Sequence, residues 1–209
     1  MHVIYDRNLE FQPCIPFSLH DLAKPDYYGL LTFRQNVKRS KKQQNNRKYG
    51  RQSLYRFLPI LRRQGNVLLA RESLTRRNEH FFPIGAKRLI MEAEIGGLRV
   101  LLVHLALTRR IRRRQIRLLH DIIGEPSDVP TLLAGDFNAF GGYGELDELL
   151  QHTGLRTLNE AHHPTFPSYA PRKELDFILC SPHISVRGMR IDDSVRLSDH
   201  VPLVADIAF

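Results

Sequence analysis

The sequence predicts one domain, spanning residues 1–209, of mixed α and β structure. Short apolar runs end at Gly, Pro, Asn or Asp, which is typical of buried strands, and stretches with apolar residues at helical spacing lie between them. A glycine pair joins two of the runs as a hairpin, so we expect a mixed sheet rather than a purely parallel one. A chain of 209 residues can bury one sizeable core, and it contains no internal repeat.

The N-terminal part of the chain carries the weaker patterns. Val3–Tyr5 predicts a short strand, and the apolar positions of Lys24–Arg34 predict a β-rich run after a turn. Ser53–Arg63 has apolar residues at helical spacing, although Pro59 argues against a long helix. Gly65–Arg71 then predicts a short buried strand.

The clearest local structure is a hairpin followed by a helix. Leu89–Ile95 and Leu98–Leu105 are apolar-rich strands joined by Gly96–Gly97. Thr108 is the expected N-cap of the helix, and Gly124 with a nearby proline ends it. The helix should turn most of its arginines outward and bury an apolar stripe, which comprises Ile111, Leu118, Leu119, Ile122 and Ile123.

Four shorter elements complete the chain. Thr131–Gly135 predicts a buried strand, and Glu145–Leu150 starts a short helix that ends at Gly154. Leu175–Cys180 and Val201–Ile207 predict two further strands. Strands and helices therefore interleave over the second half of the sequence.

Positive charge is concentrated in two segments. The chain has 31 basic and 22 acidic side chains, a net charge of +9, and Arg34–Arg51 holds eight of the basic residues and Arg109–Arg117 six. Without these fourteen residues the remainder carries −5. Concentrated charge of this kind attracts polyanions such as nucleic acid or anionic lipid head groups, and the alternative is a solvated loop and a solvated helix face.

Composition excludes several classes of protein. The sequence has no run of about 20 apolar residues, so a membrane span is not expected. Charged residues occupy the start of the chain, where a signal peptide would need its apolar region. Cys14 and Cys180 have no metal-like spacing and give little reason to expect a disulfide framework. We therefore expect a soluble, cytoplasmic and monomeric protein.

Asp136 and Asn138 follow the apolar run within Thr131–Phe140. Residues i and i+2 of an extended backbone point to the same face, so a carboxylate and a carboxamide would emerge side by side at the strand end. Such a pair suits a site that takes a proton and stabilises a developing negative charge. The alternative is an Asx turn that closes the strand.

Three more polar groups lie at the ends of apolar strands. His104 ends one of them, and a lone histidine there is more often a structural group than a catalyst. Asp176 lies between Leu and Phe, and a carboxylate in apolar surroundings needs a partner. His200 is the obvious partner, because an acid–imidazole pair orients the ring and supports its charged form.

The order of these motifs resembles the endonuclease/exonuclease/phosphatase family, whose fold is like that of pancreatic deoxyribonuclease. The four motifs are VHL at His104, GDFN at Asp136, the Asp of LDFIL at Asp176 and SDH at His200. The resemblance covers roughly residues 53–209, and its further details are NVLLAR, the Arg114–Gln115 pair and Thr165–Phe166–Pro167. It implies a four-layer α/β (α+β) sandwich of two packed mixed β-sheets flanked by helices, with the active site at the rim.

The resemblance also implies a role for each motif residue. Asp136 would orient or deprotonate the attacking water, and Asn138 would donate hydrogen bonds to the phosphoryl oxygens. His200, held by Asp176, would contact the scissile phosphate. His104 would be a second phosphate contact and, in some members, a general acid. These roles match what hydrolysis of a phosphodiester requires, namely a positioned water and donors for the phosphoryl oxygens.

The family usually works with magnesium. Asp199 would lie at the metal site together with Asp136, and hard oxygen ligands of this kind suit Mg²⁺ or Mn²⁺. The two basic segments supply predicted phosphate- or polyanion-binding residues, namely Arg109, Arg110, Arg113, Lys41 and Lys42.

The first strand–helix unit of the family is incomplete in this sequence. The principal magnesium ligand of the family is a Glu, and a gapless alignment of Pro25–Arg34 puts Thr32 at its position. Three explanations are open. The chain is an altered member with an impaired metal site, or it is active with a cation held by Asp136, Asn138 and Asp199, or another alignment brings in a different acid.

The resemblance predicts a metal-dependent phosphoesterase that hydrolyses phosphodiester bonds by in-line attack of water, with nucleic acid as the expected substrate and partner. Two alternatives remain. One is a catalytically impaired family member that binds nucleic acid or another polyanion. The other is a lipid or inositol phosphodiesterase.

Overall fold

The computed structural model describes residues 2–5, 30–32, 66–70, 73–192 and 198–209. A 3₁₀ turn, Tyr143–Leu146, precedes the second helix. The strands and helices are β1 His2–Tyr5, β2 Leu30–Thr32, β3 Val67–Leu69, β4 Thr75–Phe81, β5 Leu89–Ile95, β6 Leu98–His104, α1 Arg109–Ile123, β7 Thr131–Asp136, α2 Asp147–Thr153, β8 Arg156–Thr157, β9 Asp176–Cys180, β10 Ser185–Ile191 and β11 Leu203–Ala208.

The strands form a large mixed sheet and two small sheets. The large sheet has the order β4-β5-β6-β7-β9-β8, in which β6 and β7 run parallel and the other neighbours antiparallel. The second sheet has the order β1-β11-β10, with β1 parallel to β11. β2 and β3 form an antiparallel pair. The predicted mixed α/β class is therefore confirmed.

The large sheet buries both of its faces, because successive side chains of a strand point to opposite sides. On β7, Leu132 and Ala134 pack in the cluster that includes Leu203 of β11, so this face meets the second sheet. Leu133 packs in the cluster that includes Leu119 of α1 and Leu149 of α2. The layers are thus helices, large sheet and second sheet, and the predicted helix over residues 53–63 lies outside the described residues.

Helix α1 has the predicted ends but a different buried face. It begins after Thr108 and ends at Gly124, whose φ of 83° favours glycine. Of the predicted stripe only Leu119 is fully buried, and the other four residues are partly buried at its edges. The fully buried residues are Arg112, Gln115, Ile116 and Leu119.

Three strands were not predicted, and all three lack a clear apolar alternation. Strand β4 reads TRRNEHF at the edge of the large sheet, with its side chains mostly exposed. Strand β10 has a bulge between Val186 and Gly188, which interrupts its alternation. Strand β8 has two residues. Within the part of the chain that the structure describes, no helix is long and apolar enough to cross a membrane.

Candidate active site

A row of polar side chains crosses the ends of three adjacent strands of the large sheet. The register pairs His104 of β6 with Asp136 of β7, and Asp136 with Asp176 of β9. Because directly opposed residues share a face, the three side chains emerge side by side. His104 Nε2 lies 3.1 Å from Asp136 Oδ2. Residues far apart in the sequence therefore meet at one edge.

Gly135 allows β7 to pack closely against β6 beside this row. Its φ is +154°, and a Cβ atom at this position would lie 2.0 Å from the backbone oxygen of Val103. No side chain fits there, so the glycine of the GDFN motif sets the distance between the two strands that carry His104 and Asp136.

Asn138 holds the carboxylate of Asp136. Its backbone N–H donates to Asp136 Oδ1 at 2.9 Å, and its Nδ2 donates to Asp136 Oδ2 at 3.2 Å and to the backbone oxygen of Leu105 at 3.0 Å. Asn138 is buried and has a φ of +51°, which Asn tolerates better than most residues. The Asx turn is therefore present, and it orients the carboxylate. The predicted contact of Asn138 with a phosphoryl oxygen stays a prediction.

Asp176 and His200 form a hydrogen-bonded pair, with Nδ1 of His200 lying 2.5 Å from Oδ2 of Asp176. The hydroxyl of Thr165 accepts the backbone N–H of Asp176 at 3.3 Å and so fixes the start of β9. Burial acts to lower the pKa of His200, but the hydrogen bond to Asp176 and the negative charges of Asp176, Asp136 and Asp199 outweigh it. The pKa of His200 is consequently raised, and Nε2 is left as the nitrogen that can reach a ligand.

Three side chains of the site could hold a metal ion. Asp136, Asp176 and His200 each offer one ligand atom, and these atoms all lie within 4.8 Å of one another. Mg²⁺ takes oxygen ligands, often one or two carboxylates with several waters. A metal ligand must be deprotonated, whereas the raised pKa of His200 favours its protonated form. The carboxylates therefore fit Mg²⁺, and the imidazole does not.

Asp199 is not part of this group, although the resemblance places it at the metal site. It is exposed, and its Oδ1 accepts the hydroxyl of Ser198 at 3.1 Å. The backbone of Thr32 pairs with that of Val67. Lys41 and Lys42 lie outside the described residues, whereas Arg109, Arg110 and Arg113 are exposed on α1.

A buried ion pair, which the sequence did not predict, holds two loops beside the candidate site. Arg112 Nε and Nη2 donate to the two carboxylate oxygens of Glu145, each at 2.9 Å. Arg112 Nη1 also donates to the backbone oxygens of Ala106 and Leu107, in the loop that follows His104. The Glu145 carboxylate accepts the backbone N–H of Gly141 at 2.6 Å, in the loop that follows Asn138. One ion pair thus ties together the loops after β6 and β7.

The charge state of this ion pair follows from its contacts. Burial acts to raise the pKa of Glu145, but the hydrogen bonds from Arg112 and Gly141 hold that pKa below its usual range. Gln115, one turn along α1, accepts the backbone N–H of Ala106 at 2.8 Å. Arg114, which the resemblance pairs with Gln115, is instead exposed. Helical spacing, which puts residues 112, 115, 116 and 119 on one face, is the signal that would have identified Arg112.

Lys87 is a second residue that sequence reasoning missed. Burial lowers the pKa of Lys87, and the negative charge of Asp136 opposes this shift, which places the ammonium group within electrostatic reach of that carboxylate. The β5–β6 register, which pairs Met91 with Leu102, puts the start of β5 beside the end of β6. The hairpin predicted from sequence contained this information, because the residues before its first strand must lie near His104.

Several solved structures are similar to this one. D. rerio TDP2 in complex with a single-strand DNA product shares 18% identity over 68% of this chain and 72% of that chain, with a TM-score of 0.56. A 3'-5' exonuclease from Neisseria meningitidis shares 16% over 68% and 75%, with a TM-score of 0.57. A mannosyl-6-phosphatase from Bacteroides thetaiotaomicron shares 17% over 66% and 67%, with a TM-score of 0.55.

These likenesses show a common fold. No curated protein matches the sequence. A family model, described as the endonuclease/exonuclease/phosphatase family, matches residues 17–200, which is most of the chain and includes every residue of the site. The chain therefore belongs to the endonuclease/exonuclease/phosphatase family.

Proposed function

We propose that this member of a phosphoesterase family is a divalent-metal-dependent phosphodiesterase that cleaves nucleic acid by in-line attack of water. One observation carries the proposal: the ligand atoms of Asp136, Asp176 and His200 lie within 4.8 Å of one another, at the edge where His104 also meets Asp136. A phosphate group at such an edge can contact His104 and His200 with a water beside Asp136, whereas Asp176, which is 1% exposed, acts through His200.

Asp136 is the residue that acts on water. Asn138 and the Asx turn hold its carboxylate, so one oxygen can accept a proton from a water that attacks the phosphorus atom. A bond forms between the water oxygen and phosphorus, and the ester bond on the opposite side breaks. The departing oxygen takes a proton from His104 or from solvent. Asn138, whose Nδ2 donates to Leu105 and Asp136, acts here as a positioning residue.

His200 stabilises the charge that builds on the phosphoryl oxygens. Asp176 accepts the Nδ1–H of the ring, so the Nε2–H of the protonated imidazole is directed to the substrate. Lys87 adds a positive charge near Asp136. A Mg²⁺ or Mn²⁺ ion held by the carboxylates of Asp136 and Asp176 would neutralise part of the phosphate charge when bound.

Charge supports nucleic acid as the substrate class. The net charge of +9 is concentrated in two segments, and one of them begins five residues after His104. The TDP2 structure holds a DNA product and the Neisseria neighbour is an exonuclease, which agrees with this choice. The Bacteroides neighbour is a mannosyl-6-phosphatase, so the fold by itself also serves a phosphorylated sugar.

The proposal is tested by comparing the wild type with Asp136→Asn and with Asp128→Asn, an exposed control. Substrates are single-stranded, double-stranded and abasic DNA, a phosphoinositide and sphingomyelin, each with Mg²⁺, with Mn²⁺ and with a chelator. We expect metal-dependent cleavage of DNA that Asp136→Asn lowers by about 10³-fold and Asp128→Asn leaves unchanged.

Each other outcome contradicts a defined part of the proposal. If the wild type turns over no substrate faster than Asp136→Asn does, only the binding function remains. Turnover confined to the phosphoinositide or sphingomyelin would make the protein a lipid or inositol phosphodiesterase. Full activity in the presence of the chelator would show that hydrolysis needs no metal ion.

A further inference from the structure

The outer face of α1 carries five exposed arginines, which we call the arginine face. Together they line one open surface depression of about 410 Å³. Every exposed residue of α1 is charged, and its apolar residues are buried or partly buried. The arginine face comprises Arg109, Arg110, Arg113, Arg114 and Arg117.

These arginines work against the stability of their own helix. The N-terminus of a helix is the positive end of its dipole, where basic residues are unfavourable, and the first turn of α1 contains no acidic residue. Like charges four residues apart also repel, and Arg109, Arg113 and Arg117 form such a series. Folding alone therefore gives no reason to place these residues here.

The rest of the described structure compensates little of this cost. Arg117 makes an ion pair with Glu148 at 3.3 Å, but both side chains are about half exposed, at 56% and 53%. Among the described residues, no ion pair involves Arg109, Arg110, Arg113 or Arg114. Arg112, which is buried against Glu145, is the contrasting case of an arginine whose role is structural. Glu145 also attracts Arg109 through space. An exposed charge series with so little internal compensation indicates an external partner of opposite charge.

The position of the arginine face connects it to the candidate active site. Helix α1 starts after a four-residue loop that follows His104, and Arg112 fixes the helix to Ala106 and Leu107 of that loop. Along the helix, Arg109 and Arg117 are about 12 Å apart at 1.5 Å per residue. Each strand of B-DNA has one phosphate per 3.4 Å of its axis, so this length corresponds to about three or four phosphates.

The chemistry of the surface favours nucleic acid over a membrane. A guanidinium group can bind two phosphate oxygens at once, and five of them suit a regular series of phosphates. A helix that binds a lipid surface needs an apolar face to insert, and the apolar face of α1 is covered by the core.

We propose that the arginine face binds the sugar–phosphate backbone of a nucleic acid on one side of the phosphate that reacts. The inference rests on the proposed function for the identity of the substrate, and it assigns to α1 the binding of the strand beyond the reacting group.

The test is a binding measurement in the Asp136→Asn background, where cleavage does not interfere. The variant is Arg110→Gln/Arg113→Gln/Arg114→Gln. The matched control is Arg76→Gln/Arg187→Gln/Arg190→Gln, which removes the same charge from exposed positions on β4 and β10. Fluorescence anisotropy follows the binding of labelled single- and double-stranded oligonucleotides at several salt concentrations.

We expect the α1 variant to bind at least about tenfold more weakly at about 0.1 M salt, with the control nearly unchanged. The slope of log K against log salt should become shallower by about 2 for a single strand and about 2.7 for a duplex, if each arginine neutralises one phosphate. The melting temperature of the α1 variant should stay the same or rise, because repulsion within the helix is reduced.

Three results would overturn the inference. The first is an equal loss of oligonucleotide affinity in the variant and the control, and the second is a lower melting temperature of the α1 variant. The third is a variant that binds oligonucleotides normally but binds vesicles of phosphatidylserine and phosphatidylcholine more weakly. The last result would make the arginine face a lipid-binding surface. Binding does not depend on turnover, so the two proposals can fail separately. If the wild type hydrolyses no substrate but the α1 variant still loses oligonucleotide binding, only the proposed function is refuted.

Discussion

The site contains two acid–histidine contacts that differ in their exposure to water. In the Asp176–His200 pair, the side chain of Asp176 is 1% exposed and that of His200 is 13% exposed. In the His104–Asp136 pair the side chains are 33% exposed for His and 16% for Asp. We refer to them as the buried pair and the open pair. The same two residue types occur side by side in two environments.

The two environments suit the pairs to different roles in the proposed mechanism. In the buried pair, a carboxylate shielded from water holds the pKa of His200 above its usual value and fixes the ring. In the open pair, the Asp136 carboxylate can be reached by solvent, which a residue that activates water requires. In the proposed mechanism, the buried pair supplies the positive charge, and the open pair is where water reacts.

The two pairs also depend on different parts of the fold. The buried pair is supported by the hydroxyl of Thr165, which bonds to the start of β9. The open pair is supported by loops, through the side chain of Asn138 and through the Arg112–Glu145 ion pair. Variants can therefore affect the pairs separately, and the next three predictions use this difference, from the largest expected effect to the smallest.

Arg112→Met should have the largest effect and should act on the open pair. It leaves the Glu145 carboxylate buried without its guanidinium partner, since the side chains of Arg112 and Glu145 are only 2% and 3% exposed. We expect the free energy of unfolding to fall by about 3–5 kcal/mol, measured by urea denaturation.

The double variant Arg112→Met/Glu145→Met is the control, because it removes both charges and should recover much of this loss. In the folded single variant, the NMR signals of His104 should change more than those of His200. A loss below about 1 kcal/mol, or an equal change at both histidines, would contradict the role of this ion pair.

Asp176→Asn should act on the buried pair. It preserves the shape of the side chain but removes the charge that raises the pKa of His200. We expect kcat/KM to fall by about 10²-fold at neutral pH, because less of the imidazole is then protonated. The pKa of His200 itself should fall, which NMR titration of the ring measures directly.

The same variant predicts a change in stability with pH. A histidine whose folded pKa is raised stabilises the protein fully below its unfolded pKa of about 6.5. This contribution is lost as pH rises through the folded pKa, so the melting temperature of the wild type should decrease over that interval. The decrease should be smaller in Asp176→Asn, and identical pH profiles for the two proteins would contradict the assignment.

Lys87→Met should have the smallest effect. The ammonium group is half buried and acts on Asp136 through space, so we expect kcat/KM to fall by about fivefold. Lys87→Arg keeps the charge and should retain most of the activity. A loss of the same size in both variants would indicate that the shape of this side chain matters more than its charge.

Much of the fold could be predicted because burial leaves a local pattern. The apolar runs of β5, β6, β7, β9 and β11 identified these strands to within about two residues, which is the usual uncertainty of such boundaries. Strands β4 and β10 were missed because an edge strand can keep most of its side chains in water. Strand β4 has no apolar face and so carries no period, and in β10 the bulge breaks the alternation of its partly buried residues.

The sequence by itself determined which polar residues stand at the ends of buried strands, because the alternation of apolar residues is a property of each strand. Only the tertiary structure decided that His104, Asp136 and Asp176 form one row, since the row depends on strand register. It also decided that Arg112 is buried while its neighbouring arginines face water. The partner that makes this burial favourable, Glu145, lies 33 residues away, and contact with it arises only when the chain has folded.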